Sequence, residues 1–203
     1  METRRVRLLI AIVLAAASVA AEAACTFSIV GNDVFFDGCN VHIRDGSGDT
    51  VGPVNGLGNL IVGYAANSSG TGSHNIVVGD GHTYSSYAGI VTGFQNSLTG
   101  EEAGIIGGQG NTASGDYAAI CGGFTNLASG DWSSVPGGYG NWATGPYSTA
   151  SGGVFARATG AISAVNGGFF NTASGLYSTV SGGANRVADA TFEWCAGSLC
   201  EPN

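Results

Sequence analysis

Six Gly-Gly pairs, Gly107-Gly108, Gly122-Gly123, Gly137-Gly138, Gly152-Gly153, Gly167-Gly168 and Gly182-Gly183, recur every 15 residues. Single glycines at Gly93, Gly79 and Gly63 carry the series back at spacings of 15, 14 and 16, giving about nine turns of one unit between Gly63 and Gly197. A fixed period of this length marks a repeat architecture, in which each unit buries its apolar face only against its neighbours. The 36 glycines of the chain lack the every-third-residue rule of collagen, and their regular placement sets them apart from disordered sequence.

The clearest copy runs from Gly168 to Gly182 and contains an internal duplication. Asn171-x-Ala173-x-Gly175 is followed seven residues later by Ser178-x-Val180-x-Gly182. Each half alternates over five residues and ends in glycine, which reads as a short strand and a turn, because successive side chains point to opposite faces. One unit is therefore one coil with two strands, and the expected fold is an all-β parallel β-roll, or β-solenoid, of about nine 15-residue coils.

Two columns stay apolar and are expected to face each other across a thin core. One is Ala113, Ala128, Ala143, Ala158, Ala173 and Ala188; the other is Ile105, Ile120, Val135, Ala150, Val165, Val180 and Cys195. The hydroxyl column Thr99, Ser114, Ser129, Thr144, Thr159 and Ser174 falls out of phase with them and should meet solvent. Asn96, Asn111, Asn126, Asn141 and Asn171 are in phase with the inward alanines, so they are expected to hydrogen-bond along the stack and to satisfy corner backbone groups. The column Gly115, Gly130, Gly145, Gly160 and Gly175 fits corners of positive φ or close coil approach. At a rise of ~4.8 Å per coil, the stack would be about 40 Å long, with strand edges at both ends that need covering.

Residues 1–23 combine Arg4, Arg5 and Arg7 with an apolar run from Leu8 to Ala17 and a small-residue exit at Ala21-Glu22-Ala23, the pattern of a secretory signal peptide. An alternative makes Cys25 an acylated lipoprotein cysteine. Residues 24–62 alternate without the Gly-Gly rhythm and read as an N-terminal cap, residues 63–197 as the roll, and 198–203 as a tail. Cys25 and Cys39 lie 14 residues apart, about one coil, which would place them on adjacent rungs for a disulfide; Cys195 and Cys200 would staple the last coil, leaving Cys121 free. Export and disulfides agree with each other and point to a secreted or cell-surface protein. After signal removal the only cations are Arg44, Arg157 and Arg186, too few to neutralise a run of phosphates, so neither nucleic acid nor membrane insertion is expected.

The unit G-x-x-N-T-A-S-G-x-Y-S-T-V-S-G, as it stands at Gly168–Gly182, resembles the head repeats of YadA-like trimeric autotransporter adhesins. The resemblance covers about two thirds of the chain, without the family's heptad stalk or membrane-anchor strands after Gly197. It implies a left-handed roll, a homotrimer and binding to an extracellular surface, matrix or glycan. The half-motif is also similar to the coils of certain plant ice-binding rolls, which makes an ice- or carbohydrate-binding protein the alternative function.

Two aromatic columns flank the corners: Tyr117, Trp132, Tyr147, Tyr177 and Phe192, and Phe94, Phe124, Tyr139 and Phe169. They fit three roles: covers for the edges of a thin core, a seam between chains, or a sugar- or surface-binding stripe. The column beside the hydroxyls reads Ser97, Thr112, Leu127, Trp142, Arg157, Thr172, which interrupts a flat ice-binding face. Asp45-x-Ser47-x-Asp49, with Asp33 and Asp37, offers oxygens for calcium but lacks the bidentate Glu and reads as a solvated turn. His42, His74 and His82 show no metal-ligand spacing and read as cap or turn residues, and Asp116 and Asp131 read as exposed corner acids. No nucleophile elbow, phosphate loop or zinc-binding His pair occurs, so no catalytic residue, metal or cofactor is expected.

Overall fold

The computed structural model describes residues 25–64 and 68–201; the signal peptide expected over 1–23 lies outside the described residues. The chain divides into two units, residues 1–42 and 43–203. In the first, strands Thr26–Val30 and Asp33–Asp37 pair antiparallel across a two-residue turn in which Gly31 has φ 63°. The Cys25–Cys39 disulfide closes the open end of this hairpin. Adjacent parallel rungs are thus not what joins these cysteines. A spacing of 14 fits one coil, but it equally fits two five-residue strands folded back on each other. The disulfide also occupies the Cys25 sulfur that acylation would require.

The second unit is the all-β solenoid, built from parallel coils 15 residues apart. An eleven-stranded sheet (sheet I) begins at Leu60–Val62, and a nine-stranded sheet (sheet II) begins at Ser69–Gly70. The chain alternates between them, so every rung pairs with the copy one coil away: Thr112 with Leu127, Leu127 with Trp142, Ala119 with Ser134. Most strands are only two residues long, because glycine interrupts the alternation every seven or eight residues. A third, one-residue ladder links Phe94, Gln109, Phe124, Tyr139, Val154, Phe169 and Ala184, which two strands per coil do not account for.

Both apolar columns are fully buried and supply the core. Each Ile or Val contributes about 1.5–3 kcal/mol by leaving water. Toward the N-terminal end the alanine column becomes Leu98 and then Tyr84, whose ring fills the space over Gly70 where a side chain would collide with it.

The asparagine column forms a ladder with defined roles for each atom. Oδ1 of Asn96, Asn111 and Asn126 accepts the backbone N–H of the next asparagine at 2.8–2.9 Å. Nδ2 of Asn111 donates to the Gly107 and Gly123 carbonyls at 3.2 and 3.1 Å, and the other asparagines repeat this. One rung departs from expectation. His82 is fully buried in this column rather than at a turn; its Nδ1 faces the Asn96 N–H at 3.3 Å and its Nε2 the Val78 carbonyl at 3.1 Å. His74 is a turn residue of the first coil, with φ 57°, and lies 3.5 Å from Asp45 of the segment that precedes the roll.

In sheet I the position equivalent to asparagine is held by Ala103 and Ala118, then by Ser133, Ser148, Ser163 and Ser178. The four serine hydroxyls are buried without a partner. A buried, unpaired hydroxyl costs about 1–3 kcal/mol, and alanine already fits the same backbone two coils away. Ser148→Ala is therefore expected to raise stability by about 1 kcal/mol, read as a higher urea midpoint at unchanged slope; a lower midpoint would show that the hydroxyl has found a partner.

Candidate functional site

The two connections between the sheets form the two edges of the roll, and both demand a left-handed residue in every coil. At the first edge φ is 54–60° for Tyr117, Trp132, Tyr147, Tyr177 and Phe192, with His74, Ala88, Glu102 and Ile162 completing the column. This conformation aims the N–H at the preceding coil: Tyr117 donates to the Glu101 carbonyl, Trp132 to Asp116 and Tyr147 to Asp131, each at 2.8 Å. An L-residue there costs about 1–2 kcal/mol, which glycine would avoid. The second edge uses glycine at Gly110 and Gly140 alongside Gln95, Thr125, Phe155, Phe170 and Asn185. The first edge uses none.

Despite that cost, the first edge is an aromatic ladder. Tyr117, Trp132 and Tyr147 stack with centroids 5.3 and 4.9 Å apart and planes within 5°, and Tyr177 stacks on Phe192 at 4.9 Å. Ile162 divides the two stacks. Parallel rings this close cannot lie side by side in one plane, so they overlap face to face and present their edges to water. They remain 43–54% exposed.

Acids accompany the lower rungs. Asp116 Oδ1 accepts the Glu101 N–H at 3.0 Å, and Asp131 Oδ1 accepts the Asp116 N–H at 3.2 Å, which gives the corner acids a backbone-capping role. Tyr87 donates to Glu101 Oε2 at 2.7 Å, and that bond pushes its phenol up to about 12. Continuing through the same position, the chain reads Pro146, Ala161, Leu176 and Thr191.

The second edge carries Phe94, Phe124, Tyr139 and Phe169 on the third ladder, and its neighbouring left-handed position adds Phe155 and Phe170. Phe124 stacks on Tyr139 at 5.7 Å, Tyr139 meets Phe155 edge-on at 5.0 Å, and Phe169 meets Phe170 edge-on at 4.5 Å. Phe155 and Phe170 escaped the sequence reading, because glutamine, threonine, asparagine and glycine share their column.

The hydroxyl column points outward from sheet II, with Thr99, Ser114, Thr159 and Ser174 exposed and Ser129 and Thr144 half-buried. Beside it the Arg157 guanidinium lies 4.4 Å over the Trp142 ring. Cys195 and Cys200 form the second disulfide, and Cys121 is a free, exposed thiol. Glu193, Cys195 and Cys200 bring ligand-type atoms within 4.8 Å of one another, but the sulfurs are bonded to each other and the carboxylate accepts two backbone N–H groups. Asp45 Oδ1 accepts the Ser47 hydroxyl and N–H at 2.7 and 2.8 Å, and these bonds hold its carboxyl below the ordinary value of 3.8. Asp49 Oδ1 accepts the Val51 N–H at 3.1 Å, so the Asp-x-Ser-x-Asp segment is an internally bonded turn.

No protein-family model matches the chain, and a comparison with curated proteins finds no match either. Among the described residues no helix is long and apolar enough to cross a membrane. The two disulfides suit an oxidising, extracellular type of environment.

Proposed function

We propose that the protein is a secreted, non-catalytic surface-binding module, adhesin-like in the sense that its repeat resemblance implies, acting through the edge of Tyr117, Trp132, Tyr147, Tyr177 and Phe192. One observation carries this reading: aromatic side chains occupy strained left-handed corners, half exposed, where glycine would be unstrained. Stacking returns about 0.5–1.5 kcal/mol per pair, which no more than offsets the conformational cost of about 1–2 kcal/mol per residue. Stability alone therefore gives no reason to keep these rings, and backbone strain of this kind gathers at functional positions.

The chemistry of the edge favours a protein or matrix surface as partner. Sugar stacking needs free ring faces, and here the faces cover one another. Glu101, Glu102, Asp116 and Asp131 add negative charge, which suits a basic contact. The second edge carries no charge at its two corner positions from Phe94 to Asn185, and side-by-side association of further copies, the trimer implied by resemblance, would use that edge. An ice-binding face would have to be flat, whereas the Trp142–Arg157 pair stands up from sheet II between the hydroxyl positions.

The test separates function from folding by placing glycine at the strained corners. Trp132→Gly with Tyr147→Gly should keep or raise the thermal midpoint while binding to immobilised basement-membrane extract falls at least tenfold. Unchanged binding with a lower midpoint would assign the ladder to stability alone and reject the reading.

A further inference from the structure

Along sheet II, the two N–H groups that follow each strand donate to the next coil. Ser114 and Gly115 share the Ala128 carbonyl at 2.9 and 3.3 Å, and the pattern runs on to Ser174 and Gly175, which share the Ala188 carbonyl at 2.8 and 3.1 Å. The next pair is Asp189 and Ala190, and among the described residues sheet II has no further strand. Both of these N–H groups donate instead to Oε2 of Glu193, at 2.7 and 2.8 Å. One carboxylate oxygen stands where the next alanine carbonyl would be. Glu193 sits in the column of Ser133, Ser148, Ser163 and Ser178, whose shorter side chains find no partner.

Sheet I ends differently. Strand Leu199–Glu201 folds back antiparallel on Trp194–Ala196, with Cys195 opposite Cys200 and the disulfide joining them.

We propose that Glu193 and this disulfide hairpin form a terminator that masks a self-complementary end of the solenoid, and that the partner they exclude is a second copy of the chain docking tail to tail. Two such ends related by a twofold axis bring their last strands together antiparallel. Trp194–Ala196 already accepts an antiparallel strand, so the edge has the geometry for it. Among the described residues the last strand of sheet II, Val187–Ala188, pairs on one side only, with Thr172–Ala173. Such a contact uses both ends at once and closes as a pair instead of growing into a fibre. It concerns the end of the roll and is independent of the aromatic edges.

The test is sedimentation of the full chain, over a range of concentrations without reductant, for the parent, Glu193→Gln, Glu193→Ala and Cys200→Ser. Gln keeps an oxygen acceptor, so Glu193→Gln should sediment as the parent does. Glu193→Ala and Cys200→Ser should each show twice the parental mass, whatever the parent's own state, with the β-sheet circular dichroism retained. Parental mass for folded Glu193→Ala would reduce Glu193 to a local cap and overturn the proposal. If that variant fails to fold, Cys200→Ser decides, since it frees the sheet I end with Glu193 in place; parental mass there overturns the proposal equally.

Discussion

Gly130→Ala is expected to lower stability by about 3 kcal/mol or more, while Gly137→Ala, seven residues on, should be neutral or raise it by up to about 1 kcal/mol. Both are glycines of the repeat, and only their surroundings differ. A methyl group at Gly130 would run into the Gly145 carbonyl of the next coil, which is backbone and cannot swing aside. The same collision awaits a side chain at Gly115, Gly145 and Gly160, so relief at one coil would only pass the strain to its neighbour. At Gly137 an added methyl meets nothing within 4 Å, and its φ lies outside the left-handed region. Alanine there only reduces the freedom of the unfolded chain. Urea denaturation of both variants checks the contrast, and equal losses would mean that the coil-to-coil approach is looser than the structure has it.

Asn126→Ala is the second large effect, expected at about 2–4 kcal/mol. The change removes three partners at once: the acceptor of the Asn141 N–H and the donor to the Gly122 and Gly138 carbonyls. All three groups lie inside or beside the core, where water does not readily replace the lost bonds. The chain contains its own control. Ala156 stands in this column, donating its N–H to Asn141 Oδ1 but offering no side-chain oxygen to the next rung. Ala156→Asn should complete the ladder and raise stability by about 1 kcal/mol. Thermal unfolding of the two variants, with opposite signs, tests whether the ladder is additive along the stack.

The roll itself was legible because stacking fixes each column. Ala113 to Ala188 and Ile105 to Cys195 are buried as their phase requires, and Asn111 bonds along the stack as its place beside Ala113 suggests. Legibility failed where the period lapses. Cys25 and Cys39 close a hairpin because residues 26–37 contain no glycine pair to set a coil, so their spacing alone could not distinguish a rung from a turn. His82 reads as a cap or turn residue from sequence, where no asparagine marks its rung, yet its ring nitrogens occupy the same hydrogen-bonding positions. The left-handed corners were invisible for a simpler reason: tyrosine and tryptophan are among the last residues a sequence suggests for positive φ. Glu193 is a different case. Its proposed role depends on sheet II having no strand after Val187–Ala188 among the described residues, and no column pattern records that.

The acids of the Tyr117 edge occupy only its early coils: Glu101, Asp116 and Asp131 give way to Pro146, Ala161, Leu176 and Thr191 at the same position. The coils are nearly identical in shape, so a ligand gripping ring edges alone could lie along the edge in either sense, or slip by one rung. The uneven charge removes that freedom. On the proposed function, a partner with a basic end would be seated in one direction and at one register, and the edge would serve as an oriented ruler whose origin is the acidic end.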